Sequence, residues 1–130
     1  MIAPTTLSEE WKVFWKEGES FAGLCTSRAK TFTNEIRYNL AGMAVEKLVM
    51  GALMQRGALP EGHTLCDLMD AAEQAGMVQD PLCENIRRMD DFQQICAFDT
   101  YTRTVPNNDE MKHIEGLVSE LKETLAGVLE

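Results

Sequence analysis

"RYNLAGMAVEKLVMGALMQRGALPEGHTLCDL", residues 37–68, holds the reading of the fold. Apolar residues recur there in steps of three and four. Ile36, Leu40, Met43, Ala44, Leu48, Ala52 and Leu53 make one face, and Val45, Val49, Met50 and Met54 widen it. That period predicts a long helix over about residues 28–56. Its C-terminal half is apolar nearly all round, so the helix is either central or presents an oligomer face on its outer side. Gly57 is placed to take the left-handed conformation that ends a helix, and Pro60 follows to prevent continuation. His63 or Thr64 then opens a short helix over about 64–75, with Leu65, Leu68, Met69 and Ala72 inward and Gly76 at its end.

The flanks read the same way. Ser8 can cap a first helix, and Glu9 and Glu10 suit the positive end of its dipole. Leu7, Trp11, Phe14, Trp15, Phe21, Ala22 and Cys25 follow helical spacing, while Gly18 and Gly23 weaken the helix. Asp80 and Pro81 open a fourth, where proline fits the first helical position. Its stripe is Leu82, Ile86, Met89, Phe92, Cys96 and Phe98. "TVPNND" (104–109) is a loop with a cap at Asn108 or Asp109. The last helix, about 109–129, has the cleanest stripe: Met111, Ile114, Val118, Leu121, Leu125 and Val128, with Glu110, Lys112, Glu115, Glu120, Lys122 and Glu123 on the other side. One buried stripe of this kind belongs to a bundle. No segment alternates as a strand does. The expectation is an all-α fold: one domain over 1–130, an antiparallel up-and-down bundle of four long helices plus one short one.

Composition bounds the function. A chain of 130 residues with 45% apolar content suits one globular domain. Its longest apolar stretch, "LVMGALM" (48–54), is far short of the roughly 20 residues needed to span a bilayer. The start, "MIAPTTLSEEWK", lacks the basic-then-apolar layout of a signal peptide, so a cytoplasmic location is expected. The net charge of −9 disfavours a broad nucleic-acid surface or an anionic membrane, since both require Lys and Arg to displace counterions. Cys25, Cys66, Cys83 and Cys96 form no C-x-x-C pair and complete no zinc set with His63 and His113. They read as four buried, reduced thiols. Glu110 and His113 give one Glu-x-x-His spacing where a di-iron bundle needs two, so no metal or cofactor is expected. Trp11 and Trp15, one turn apart, read as core packing rather than as a base-stacking platform.

Two places could carry chemistry. Arg56 and His63 have six residues between them, and a base beside a cation could cleave RNA. Arg56, however, sits in the last turn of a helix, where a cation favours the dipole, and His63 opens the next one. Tyr101 and Arg103 lie where the chain turns toward the last helix, and a phenol beside a guanidinium can hold a phosphate.

Several stretches together resemble the HEPN domain (higher eukaryotes and prokaryotes nucleotide-binding), over about residues 20–128. Ala44, Glu46 and Lys47 fit its "A-x-E-K" core. Gly57, Pro60, His63, Leu65 and Leu68 fit the turn that follows. Tyr101, Thr102, Arg103 and Pro106 fit the segment before the last helix, although Thr104 and Val105 stand where a tyrosine usually comes. The resemblance implies a helical bundle that dimerises and works around nucleotides and RNA, as a partner of minimal nucleotidyltransferases, a member of toxin–antitoxin modules, or a ribonuclease. The ribonuclease branch carries a late arginine followed within a few residues by a histidine. Here none of Arg87, Arg88 and Arg103 has one at that distance; His113 comes ten positions after Arg103. The resemblance therefore implies a non-catalytic binding module, with Arg103, Tyr101, His63, Arg37 and Tyr38 as ligand-binding residues. Its partners are a second copy, a nucleotide and a nucleotidyltransferase. The alternatives are a ribonuclease and a ligand-free structural dimer.

Overall fold

Three long helices carry the structure, a computed structural model. It describes the backbone at residues 4–26, 32–94, 102–103 and 105–129, and the side chains of these residues apart from 4–8, 91–94 and 102–103. The long helices are α1 (Pro4–Cys25), α2 (Asn34–Arg56) and α5 (Asn108–Ala126); α3 (Leu65–Gln74) and α4 (Leu82–Arg87) are shorter. A 3₁₀ turn, Arg88–Phe92, follows α4 and leads into a two-residue antiparallel ladder, β1 (Gln93–Gln94) with β2 (Thr102–Arg103), in which Gln93 faces Arg103. The fold is all-α, with this ladder as a local tie.

Local chemistry accounts for the helix ends. The Thr33 hydroxyl accepts from the Ile36 N–H at 3.3 Å, and α2 ends on Gly57 at φ 70°, whose N–H donates to the Leu53 and Met54 carbonyls. Thr64 caps α3 by accepting from the Asp67 N–H at 3.0 Å. The Asp80 carboxylate accepts from the Glu84 N–H at 3.2 Å at the start of α4. For α5 the cap is Asn107, not Asn108 or Asp109. Asn107 Oδ1 accepts from the Glu110 N–H at 2.8 Å while Glu110 Oε1 accepts from the Asn107 N–H at 2.9 Å, a reciprocal capping box.

Four further expectations are corrected, the last two together. First, α1 begins at Pro4 rather than at Ser8, since a proline at a helix start gives up no hydrogen bond. Second, α4 has 6 residues, so among the described residues there are three long helices rather than four. Beyond Arg87 the backbone tightens into the 3₁₀ turn Arg88–Phe92. Instead of continuing, the chain turns, and the Met89 carbonyl accepts from the buried Tyr38 hydroxyl at 2.5 Å. Third, Ile36 and Met43, placed on the inner face of α2, are each 43% exposed, and Cys66 is exposed. Cys25 and Cys83 are buried thiols; Cys96 lies outside the described residues.

The core gathers around α2. Ala41, Ala44, Val45, Leu48, Val49, Ala52 and Leu53 are buried there, against Met111, Ile114, Leu117, Val118, Leu121 and Leu125 of α5 and Leu68, Met69 and Ala72 of α3. α1 runs antiparallel to α2: Gly18 meets Leu48, the Trp11 and Trp15 backbone meets Gly51, and the Cys25 carbonyl meets Arg37. α5 runs alongside α2 in the same direction, from Asn34–Asn108 contact at one end to Arg56–Val128 contact at the other. The starts of α2 and α5 therefore lie side by side. Among the described residues no helix is long and apolar enough to cross a membrane.

Candidate functional site: a cleft between the starts of α2 and α5

Two capped helix starts meet here. Asn34, the first residue of α2, donates from Nδ2 to the Pro106 carbonyl at 3.1 Å and to Asn108 Oδ1 at 2.9 Å. One turn further along α2, Arg37 Nε donates to the Cys25 carbonyl at 3.2 Å, and its guanidinium forms an ion pair with Glu115 of α5. The side chains of this pair are 24% and 20% exposed. Arg37, Asn108, Asp109, Lys112 and Glu115 line a cleft of about 270 Å³. Lys112 and Glu115 share one side of α5 because residues three apart on a helix are neighbours. The cleft holds two cations and two carboxylates. The N-terminal ends of both helices add positive potential. Glu115 Oε1 is sealed from solvent where it pairs with Arg37.

Of the five residues singled out in the sequence, the structure brings Arg37 to this cleft. Tyr38, one residue on, points into the core, 7% exposed, with its hydroxyl given to Met89. His63 is exposed, with Nδ1 4.0 Å from Glu46 Oε2. Glu46 lies nine residues beyond Arg37 on α2, which is about 14 Å along the axis and half a turn around it. His63 thus faces a different surface from Arg37. Tyr101 and the Arg103 side chain lie outside the described residues. Lys112, Asn108, Asp109 and Glu115 were legible only as capping or solvated positions of the last helix; no local signal ties them to Arg37.

Arg56 and His63 are drawn to different partners. Arg56 Nη2 donates to the Val128 carbonyl at 3.3 Å, and His63 sits beside Glu46, some 15 Å back along α2. Glu110 is engaged in the α5 capping box. Elsewhere Glu73, Asp80 and Cys83 bring ligand-type atoms within 4.8 Å of one another. Glu73 is already paired with Arg87 at 3.2 Å, and Arg87 also holds Asp70 at 2.7 Å. Burial pushes the Cys83 thiol up to about 11, so it is protonated at neutral pH, and its Sγ donates to the Met69 carbonyl at 3.6 Å. Arg87 of α4, with Asp70 and Glu73 of α3, ties the two helices together.

No family model matches this chain, and no curated protein or solved structure matches it.

Proposed function

We propose that this chain is a non-catalytic, HEPN-like binding module. It is a cytoplasmic helical bundle of the up-and-down kind that pairs with a second copy and receives a nucleotide, or the nucleotidyltransferase that handles one, in a toxin–antitoxin-like system. The observation that carries the reading is the cleft between α2 and α5, where Arg37 and Lys112 face one opening beside two helix N-termini. A guanidinium presents a planar fork to a phosphate, and an ammonium adds a mobile point charge. Tyr101 and Arg103 enter the proposed site through the family resemblance, as residues of the segment leading to α5. The second copy would seat on the outer face of α2, where Ile36 and Met43 stand exposed two turns apart on one side.

Binding is preferred to RNA cleavage because a ribonuclease needs its base and its cation together, and Arg56 and His63 engage separate partners. Calorimetric titration of the chain with AMP and ATP tests the proposal. Binding is expected to be tighter for ATP and to weaken about fivefold in Lys112→Ala, the equivalent of ~1 kcal/mol for one exposed charge contact. Equal affinity in both proteins removes the site. Sedimentation of Met43→Glu against the native chain tests the second copy; a native chain that is a monomer at all concentrations removes it.

A further inference from the structure

We infer that Glu115 is a built-in competitor for the phosphate site, occupying the Arg37 guanidinium until an anion displaces it. This rests on the binding reading above and adds its regulation. Glu115 is not a peripheral neighbour. It lines the cleft together with the two cations, and it is the carboxylate paired with Arg37. A carboxylate and a phosphate oxygen present the same acceptor chemistry to a guanidinium. Glu115 Oε1 is shielded from water against the Arg37 guanidinium. A desolvated carboxylate regains hydration when released, which offsets part of the lost attraction. Arg37 keeps its place during the exchange, because its Nε is tied separately to the Cys25 carbonyl. An incoming anion would find a cation already aimed at the cleft, with Lys112 one turn away on α5 to hold its second charged group.

Removing any negative charge from the cleft would help an anion to bind, so the cleft's other acid, Asp109, is the control. The experiment titrates inorganic pyrophosphate into the whole chain as native protein, Glu115→Gln, Asp109→Asn and Lys112→Ala, with thermal melts to check folding. Glu115→Gln is expected to bind at least about fivefold more tightly than the native chain, and more tightly than Asp109→Asn, because only the former vacates Arg37. Glu115→Asp, which keeps the charge on a shorter stem, is expected to fall between native and Glu115→Gln, and it serves in place of Glu115→Gln should that variant fail to fold. Equal gains in Glu115→Gln and Asp109→Asn overturn the competitor role. So does native affinity in Glu115→Gln while Lys112→Ala still weakens binding, a result that leaves the cleft itself as the site. Binding by no variant overturns the competitor and the cleft together.

Discussion

Gly18 of α1 lies against Leu48 of α2 so closely that a β-carbon at position 18 would stand 2.9 Å from the Leu48 backbone nitrogen and 2.7 Å from its Cγ. Across the same contact, a β-carbon on Gly51 would meet the Trp11 carbonyl and the Trp15 nitrogen at 3.1 Å. The two glycines let the helices cross nearly backbone to backbone. Gly18→Ala gains about 1 kcal/mol of helix propensity but overpacks a contact that includes backbone, at ~1–3 kcal/mol. A net fall in melting temperature of several degrees is expected. Gly23→Ala, with nothing within 4 Å of its β-carbon, is expected to raise it. Thermal melts of the two variants check this, and a stabilised Gly18→Ala would refute the close crossing.

The Tyr38 hydroxyl and the Met89 carbonyl close the end of the α4 segment from another helix. Tyr38→Phe removes the donor that reaches that carbonyl from α2, at about 1 kcal/mol. Hydrogen exchange should accelerate at residues 88–90 more than along α5. Unchanged protection there would mean that the bond contributes nothing to the turn.

Asn107, and not its neighbours, caps α5. Asn107→Ala is expected to cost ~1 kcal/mol in a urea melt. Asp109→Ala, which loses a dipole contact alone, should cost a few tenths of that. Equal losses would place the cap elsewhere.

The thiols divide by environment. Burial raises Cys25 and Cys83 to about 11; the Cys66 thiol is pushed up as well, by partial desolvation and then by Asp90 and Asp70, but it is open to reagent at the start of α3. Native protein should therefore lose one fast-reacting thiol in Cys66→Ser, while Cys25 and Cys83 react upon unfolding. The same burial makes stability depend on pH. The folded chain holds protons on these two thiols that the unfolded chain releases near 9, so their contribution is full below that pH and is lost as pH rises from about 9 to about 11. Urea midpoints that fall over this window, and fall less in Cys83→Ala relative to its own neutral-pH value, check the sign.

Most of what depends on neighbouring residues was legible in the chain, although the α5 cap fell to Asn107 rather than to Asn108 or Asp109. The 3.6-residue stripe of α5, the body of α2, the Gly57 stop and the Thr64 cap all follow from side chains acting within a turn or two. Composition and period together were enough for the all-α class. The rest depended on which helices lie against one another. Gly18 looked like a helix breaker until Leu48 stood beside it, and Ile36 and Met43 looked internal until α1 and α5 covered other sides of α2. The Tyr38–Met89 bond just past the end of α4 likewise joins distant parts of the chain. At the candidate site Arg37 was visible in advance, but Glu115 and Lys112 were not. Their partnership with Arg37 exists because α5 runs beside α2 in the same direction, and hydrophobic periodicity shows which face a helix buries, not which neighbour receives it.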